Sequence, residues 1–389
     1  MKNIILFDPV EARAELLPLT FTRPVALLRH GITTFAEKWQ EAIPGTYSFE
    51  TQDYLSEKYP AILENDADAN LFIAGNLHPD AELVKAILSL GSGQSLALTS
   101  GEVIARRGEG EKGTVTYPGE PLQVNHIWEL FMLNGEAIKR DFATLTAGRK
   151  SAPLSDTCRL IGDPANLFIE EGATVECANI NVSAGPVYIG RHAEVMEGAC
   201  LRGPIAMCGH SVVNMGGKIY GATTLGPWCK VGGELNNVVM TGYSNKAHDG
   251  FLGNAVIGEW CNLGAGCTAS NLKNTYGDIK LWSIARGRFI KTGLQFCGLI
   301  MGDHSKAGIN TMFNTATVVG VGVNFYGAGF PRTFLPSFTE GNTAGMRDTD
   351  MDRLFETATR MMGRRHVELT PMDKEILINV REAMNGERK

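Results

Sequence analysis

The fold is decided by residues 189–231, which read IGRHAEVMEGACLRGPIAMCGHSVVNMGGKIYGATTLGPWCKV. An apolar residue recurs there at every sixth position: Ile189, Val195, Leu201, Met207, Val213, Ile219, Leu225 and Val231. Neither the 3.6-residue period of a helix nor the 2-residue period of a strand stays in phase with this step. The pattern therefore indicates a coiled chain that presents one inward residue in every six.

A hexapeptide-repeat β-helix has this property, because three short faces close one turn and residues eighteen apart stack at about 4.8 Å. Inward candidates are followed by a glycine, which suits a tight corner because it has no Cβ; these are Gly190, Gly226, Gly232, Gly258, Gly264, Gly302 and Gly308. A second run of step six extends the coil toward residue 330: Met301, Ala307, Phe313, Val319 and Phe325. An earlier pair, Ile169 and Val175, lies two residues out of phase. We therefore expect the coil to start near residue 157 and to contain a short insertion at 184–186.

The flanking regions differ from the repeat. Strand-like residues 3–7, a helical stretch at 32–42 and strand-like residues 70–74 predict an α/β domain over residues 1–150. A helical pattern at 125–142 closes this domain before a boundary at 151–155. The β-helix is predicted over residues 157–335. A helical extension over 340–389 would cap or flank the coil, with Thr370 as the N-cap of its second helix and Pro371 at the first position.

Composition narrows the class of protein. The 389 residues carry a net charge of −6 and no Lys/Arg-rich block before the C-terminal region, so no nucleic-acid partner is expected. The apolar stretch at residues 4–7 is too short for a signal peptide, and no run approaches a membrane span, which predicts a cytoplasmic protein without a membrane partner. The eight cysteines all lie in the repeat region without a C-x-x-C pair, so we expect reduced thiols packed as small apolar residues.

Asn237 and Ile257 lie twenty residues apart, whereas one full turn of the predicted coil takes eighteen. This spacing predicts an excursion from the coil over residues 241–251, which would carry His248 on a loop. The motifs in and after this segment are Ser244-x-x-x-His248, Leu252-Gly253 and Asn262-Leu263-Gly264-Ala265-Gly266.

These motifs resemble, in order and spacing, the acetyltransferase half of the bifunctional N-acetylglucosamine-1-phosphate uridyltransferase/glucosamine-1-phosphate N-acetyltransferase family. With residues 17–24 (LPLTFTRP), the chain further resembles a shorter bacterial variant of that family, a sugar nucleotidyltransferase-like relative. The resemblance implies a left-handed parallel β-helix that forms a homotrimer and uses acetyl-CoA as co-substrate.

By this resemblance His248 is a general base that takes a proton from a sugar amine, a task for which an imidazole is suited. Asn262 would contact the sugar, and Asn271 would orient the amine or the acyl group. A backbone N–H at Gly264 or Ala265 would hold the developing oxyanion. A plain β-helix corner explains the glycines equally well.

Three positions depart from the family pattern. Phe251 and Leu272 stand where tyrosines are usual, and Asn236 stands where a phosphate-binding lysine is usual. Because a phosphate needs cationic donors, another lysine would have to replace the missing one. The candidates, among which spacing does not choose, are Lys218, Lys246, Lys273 and Lys280.

The N-terminal part lacks one expected element. A sugar nucleotidyltransferase holds a triphosphate in a Gly-rich loop and binds Mg²⁺ through acidic residues, yet residues 8–11 read DPVE. Residues 17–20 and 23–24 resemble the elements that follow that loop. The candidate phosphate contacts are Arg13, Thr20, Arg23 and Arg29. Asp66 and Asp68 are interpreted as a solvated turn, and no metal site is predicted.

The sequence thus predicts acetyl-CoA-dependent N-acetylation of an amino-sugar phosphate or nucleotide sugar, with or without nucleotidyl transfer by the first domain. One alternative is a nucleotidyltransferase, or a nucleotide-sugar-binding protein, whose β-helix only trimerises. A second is a zinc enzyme like the hexapeptide-repeat carbonic anhydrases. For that class His192 and His210 would stack on adjacent coils and His304 takes the same place in its repeat, but no third histidine lies near them in sequence.

Overall fold

The computed structural model describes residues 2–384. The chain forms two compact units, each built from separated segments. The first contains the residues up to 16 together with 22–28 and 33–126, and the second contains 17–21, 29–32 and the residues from 127 onward.

The first unit is built on a six-stranded mixed sheet. Strand Lys2–Phe7 lies between Gly45–Glu50 and Asn70–Ala74 and is parallel to both. Ile4, Ile5 and Leu6 are fully buried, as is typical of a parallel strand covered on both faces. The remaining strands are Ser95–Leu98, Val103–Arg107 and Thr114–Tyr117.

Short helices connect these strands. They are Val10–Glu15, Phe35–Ala42, Asp53–Ser56 and Ala81–Leu88, with 3₁₀ turns at Val25–Leu27 and Ala67–Ala69. Thr34 and Glu37 form a capping box that fixes the start of the second helix. Asp66 caps the 3₁₀ turn at Ala67–Ala69, and Asp68 accepts hydrogen bonds from Ser92 and Gly93, so both carboxylates serve turns as the sequence predicted.

The second unit contains a parallel β-solenoid with three faces. Face A comprises Arg159–Ile161, Asn179–Asn181, Cys200–Arg202, Lys218–Tyr220 and the first thirds of Glu234–Gly242 and Phe251–Glu259. Face B comprises Leu167–Ile169, Val187–Ile189, Ile205–Met207, Thr223–Leu225, the later parts of the same two long strands, Ile300–Met301, Val318–Val319 and Phe334–Leu335. Face C comprises Thr174–Val175, Glu194–Val195, Val212–Val213, Lys230–Val231, Asn245–Lys246, Asn262–Leu263, Lys306–Ala307, Asn324–Phe325, Thr339–Asn342 and the antiparallel Gly345–Asp348. Outside these sheets, Thr268–Ala269 pairs with Met312–Phe313.

The inward residues of the period-six pattern stack as predicted. Ile189 pairs with Met207, and Met207 pairs with Leu225, each eighteen positions on. These side chains are fully buried in one continuous apolar core that runs from Leu167 to Leu335. The predicted order, an α/β region followed by a parallel β-helix and short C-terminal helices, is confirmed. The family resemblance implies that this β-helix is left-handed.

The predicted excursion at 241–251 is wrong. Asn245 pairs with Lys230 on one side and with Asn262 on the other, so this segment is an ordinary part of the coil. The coil instead departs after strand Thr268–Ala269 and resumes at Ile300–Met301, the strand that pairs with Ile257. The departing segment contains the antiparallel hairpin Lys280–Ser283 and Arg288–Lys291. The pattern misled because the inward residue opposite Val231 is Lys246, which interrupts the apolar series.

Helix Asn134–Thr146 packs against the solenoid, and Glu129–Met132 precedes it. Its residues Ile138 and Phe142 share an apolar cluster with Phe168 and Tyr188. For this reason the first compact unit ends at His126, whereas the predicted first domain ran to residue 150.

The segment after that helix is tied to the solenoid by one carboxylate. Arg149 Nη2 and the Tyr188 hydroxyl donate to Glu170, at 2.7 and 2.6 Å. Burial alone would raise the pKa of the Glu170 carboxyl. The two hydrogen bonds and the Arg149 charge outweigh this effect and hold its pKa below the ordinary value of 4.5.

Aromatic and histidine side chains stack along the corner between faces B and C, and we name them the corner ladder. Its members all have φ between +56° and +60°: His192, His210, Trp228, Tyr243, Trp260 and His304. Their ring centroids are 4.3 Å apart for His210 and Trp228 and 4.2 Å apart for Tyr243 and Trp260. Stacking of this kind stabilises by about 0.5–1.5 kcal/mol per pair, which offsets part of the cost of the left-handed backbone.

Two C-terminal helices, Met351–Gly363 and Pro371–Ala383, follow the solenoid. Thr370 caps the second with Pro371 at its first position, as predicted. The first packs on the ladder, because Ala358 and Met362 are buried in one cluster with Trp260. The predicted flanking of the coil is thus confirmed for the described part of the extension; residues 385–389 lie outside it.

All eight cysteines are free. Five are buried, and burial raises the pKa of the Cys229, Cys261 and Cys297 thiols to about 12. Within residues 2–384, no helix combines the length and apolar character needed to span a bilayer.

Replacing Glu170 with Gln should lower the free energy of unfolding by about 1–3 kcal/mol at pH 7, because Arg149 and Tyr188 lose a charged acceptor. The stabilisation by a carboxylate with a lowered pKa is fully present above about pH 4.5 and is lost as the pH falls through the folded-state pKa. Urea unfolding of both proteins between pH 3 and 7 should therefore show the difference shrinking at acid pH. A constant difference across this range would contradict the assignment.

Candidate active site

His248 lies at the corner where face C turns into face A, between strands Asn245–Lys246 and Phe251–Glu259. A pocket of about 360 Å³ opens beside this corner. It is lined by Lys230, Asn245, Ala247, His248, Asn262, Leu263, Gly264, Ala265, Ile309, Arg364 and Arg365. Four residues predicted from the sequence, namely His248, Asn262, Gly264 and Ala265, are therefore brought together.

The Gly264–Ala265 corner supplies an available backbone donor. The N–H groups of Gly264 and Gly266 are used by the coil, donating to Ala307 and Asp249 at 3.0 and 3.1 Å. The Ala265 N–H makes no hydrogen bond within the described residues. A Cβ at Gly264 would lie 2.7 Å from the Ile309 nitrogen, so glycine is required there for the coils to stack.

Asn262 lines the same pocket. Its Oδ1 accepts a long bond of 3.4 Å from Asn245 Nδ2, and Asn245 Oδ1 accepts another of 3.4 Å from Arg365 Nη2. The Asn262 Nδ2 group has no partner among residues 2–384 and can donate to a ligand.

Lys246 points into the solenoid rather than into the pocket. It is fully buried, and its ammonium donates to the backbone carbonyls of His248, Asp249 and Gly232. Burial lowers the pKa of this ammonium. Lys246 was a candidate phosphate ligand, but it instead ties down the corner that carries His248.

The other candidates lie along face A or beyond it. Asn271 Nδ2 donates to Asn254 Oδ1 at 2.8 Å and lies close to Gly253 and the Phe251 ring. Asn236 is paired with Gly253 one coil away, and Lys218 begins the strand before that. Asn271, Phe251, Asn236 and Lys218 do not line the pocket beside His248.

Two lysines lie elsewhere. Lys273 belongs to the segment that leaves the coil, and its ammonium donates to the Asp278 carbonyl. Lys280 begins a strand of the hairpin in that segment. Neither side chain lines the pocket.

Three of the four N-terminal candidates are buried, and Arg29 is half-buried. Arg13 Nε donates to Asp8 Oδ2 at 3.2 Å and Arg13 Nη2 to the Tyr54 hydroxyl at 3.0 Å, so this guanidinium supports the first unit. Burial raises the pKa of the Asp8 carboxyl, although Thr51, Val25 and Arg13 oppose this effect. Thr20 and Arg23 are also buried. Arg29 donates to backbone carbonyls of Thr241 and Ile32.

The described residues contain no group of three or more His, Cys, Asp or Glu side chains arranged to hold a metal ion. The His192 ring lies 5.1 Å from the His210 ring, and His210 stacks on Trp228, which offers no metal ligand. His304 stacks on Trp260.

Sequence reasoning missed all three Lys and Arg side chains of the lining, Lys230, Arg364 and Arg365. The two arginines follow helix Met351–Gly363 and stand more than a hundred positions after His248. The only sequence signal was the basic character of the C-terminal region, which gives no position in space.

Residues 4–150 match the family model described as sugar nucleotidyl transferase. The match includes residues 17–24, whose resemblance to that class was noted above. A search of curated protein sequences gave no match to the chain.

Several solved acyltransferase structures align with the chain. The UDP-N-acetylglucosamine acyltransferase of Francisella novicida is 11% identical over 59% of this chain and 76% of its own, with a TM-score of 0.23. AntD, an N-acyltransferase from Bacillus cereus, is 13% identical over 53% and 91%, with a TM-score of 0.22. The UDP-N-acetylglucosamine acyltransferase of Arabidopsis is 14% identical over 61% and 99%, with a TM-score of 0.24.

Replacing Lys246 with Ala should lower the free energy of unfolding by about 2–5 kcal/mol, because it leaves a cavity and unpaired carbonyls in the coil. Lys246→Met is the matched control, since it keeps most of the volume and removes only the ammonium. We expect this variant to fall between the native protein and Lys246→Ala in urea unfolding. A Met variant as stable as the native protein would show that the hydrogen bonds to the His248 corner contribute nothing.

Proposed function

We propose that the pocket at the His248 corner transfers an acetyl group from acetyl-CoA to the amine of an amino-sugar phosphate or a nucleotide-linked amino sugar. The observation that carries this proposal is that His248, Asn262 and Ala265 line one pocket, and that the Ala265 N–H is not used by the coil. A base, a polar substrate contact and an oxyanion donor are the groups that acyl transfer to an amine requires.

In the proposed reaction, the amine nitrogen attacks the thioester carbonyl while the His248 imidazole takes its proton. The carbonyl oxygen becomes an oxyanion, to which the Ala265 N–H donates. The C–S bond then breaks, and the proton passes from His248 to the departing CoA thiolate. The products are an amide and free CoA, and the imidazole is returned to its starting state.

Asn262 supports acceptor binding through its free Nδ2 group. The face A residues Asn271, Phe251, Asn236 and Lys218 stay proposed acceptor contacts beyond the pocket, with Lys273 beside them in sequence. Lys246 is withdrawn as a ligand because its ammonium is buried. A homotrimer of solenoids stays part of the proposal, as the resemblance implies.

A second function is favoured by the family match of residues 4–150. We propose that this region binds a nucleotide sugar or transfers a nucleotidyl group to a sugar-1-phosphate, with Thr20, Arg23 and Arg13 as the candidate contacts. To test the transfer, the protein is incubated with a nucleoside triphosphate, MgCl₂ and either glucosamine-1-phosphate or its N-acetyl form. The quantity measured is the release of pyrophosphate. Nucleotide-sugar binding without release would favour the regulatory alternative.

His248→Ala should lower acetyl transfer by about 10²–10⁴-fold, since the amine loses its proton acceptor. The measurement is thiol release from acetyl-CoA with a panel of amino-sugar phosphates and nucleotide amino sugars. His192→Ala is the control, because it removes another exposed corner histidine that does not line the pocket, and it should retain native activity. Equal rates in the native protein and His248→Ala, or no transfer to any amine, would reject the proposed role.

A further inference from the structure

Three cations meet at one wall of the His248 pocket, and we name them the basic wall. Lys230 belongs to face C, whereas Arg364 and Arg365 directly follow helix Met351–Gly363. None of the three forms an ion pair with a carboxylate in residues 2–384. Three positive charges thus face a cavity without a protein counter-charge.

Arg365 is the least satisfied of the three. Its Nε is buried without a hydrogen-bond partner within the described residues, and its one side-chain bond is the 3.4 Å contact with Asn245. Its guanidinium carbon stands 5.7 Å from the centre of the Trp228 ring. Burial, together with the charge of Arg364, lowers the pKa of Arg365. A partly buried cation without a counter-charge is unfavourable, and a bound anion would reduce that penalty.

The protein holds these arginines in place by apolar packing. Met362 and Leu369, on either side of the pair, are buried in the cluster with Trp260 of the corner ladder. The C-terminal end of the helix supplies only about half a negative charge, which two guanidinium groups exceed. The backbone that carries the two arginines is therefore anchored on both sides, and the wall remains electropositive.

We infer that the basic wall binds the phosphate or diphosphate group of the ligand whose reacting centre lies at His248. Guanidinium groups donate to phosphate oxygens in pairs, and Lys230 adds a point charge to the same wall. The inference rests on the proposed function for the identity of the reacting centre, but not for the anion itself. Lys230, Arg364 and Arg365 would thus provide the cationic donors that the usual lysine, replaced here by Asn236, does not provide.

Two ligands could present this group, namely CoA and the sugar-phosphate acceptor. Titration calorimetry of the full-length protein with CoA, with dephospho-CoA and with glucosamine-1-phosphate separates them. Arg365→Gln should weaken binding of the phosphate ligand by about tenfold to a hundredfold, the range expected for loss of charged hydrogen bonds. Loss confined to CoA assigns the wall to the coenzyme, and loss confined to glucosamine-1-phosphate assigns it to the acceptor.

Two variants sharpen the test. Arg365→Lys keeps the positive charge but loses the planar guanidinium group that donates two parallel hydrogen bonds. Its affinity for the phosphate ligand should lie between those of Arg365→Gln and the native protein. Arg360→Gln is the matched control, because Arg360 lies on the same helix but pairs with Glu356 outside the pocket. It should bind both ligands as the native protein does.

Thermal unfolding gives a readout that is independent of activity. Inorganic pyrophosphate should raise the melting temperature of the native protein and of Arg360→Gln, but should raise that of Arg365→Gln much less. Without ligand, Arg365→Gln should melt no lower than the native protein, since an uncompensated cation has been removed.

Unchanged affinity in Arg365→Gln, or no binding of CoA, glucosamine-1-phosphate or pyrophosphate to the native protein, would overturn the inference. Arg365-dependent phosphate binding without acetyl transfer to any amine would instead retain the basic wall and reject the proposed acetyltransferase. Acetyl transfer that depends on His248, with no effect of Arg365→Gln on binding, would retain the proposed acetyltransferase and reject the phosphate-binding role of the basic wall.

Discussion

The second unit depends on one constraint, which is that each coil must pair in parallel with the next at the spacing of β-strands. Ile189, Met207 and Leu225 meet this constraint by lying eighteen residues apart. Surplus residues have to leave the coil at a corner, as those between Ala269 and Ile300 do. Because the faces cannot shift independently, the corners have fixed positions, and the proposed chemistry uses one of them.

Lys246 shows how the solenoid places a reactive group. A leucine or valine at this inward position would fill the core, but it would leave the carbonyls of His248 and Asp249 without their donor. Burying the lysine ammonium is unfavourable, but its hydrogen bonds to the carbonyls of His248 and Asp249 connect the core to the corner. The pocket on the outside is therefore shaped partly by a side chain that faces the inside.

The sequence predicted most of the repeating architecture, because a step of six has no simpler explanation than a coiled strand. It also predicted the cap at Thr370 and Pro371, which depends only on neighbouring residues. It failed where one residue broke the pattern: Lys246 hid a regular coil and created an apparent excursion at 241–251. The interval between Ala269 and Ile300, the true departure, carries no period that could have revealed it.

The candidate site was predictable only in part, for the same reason. His248, Asn262 and Ala265 lie in motifs of two adjacent coils, and the family resemblance of those motifs implied their roles. Arg364 and Arg365 reach the pocket through the packing of a helix on Trp260, and tertiary packing of this kind leaves no local pattern. Helix Asn134–Thr146 likewise joins the second unit through side-chain burial that spacing alone did not assign.

The corner ladder has a consequence for the order in which the protein is completed. Contacts between successive coils are short in sequence, so the solenoid can extend turn by turn as the chain is made. The contact between Met362 and Trp260 spans about a hundred residues and can form only after the ladder exists. The His248 corner is thus assembled early and its arginines arrive late, so a nascent chain carries the corner before it carries the basic side of the pocket.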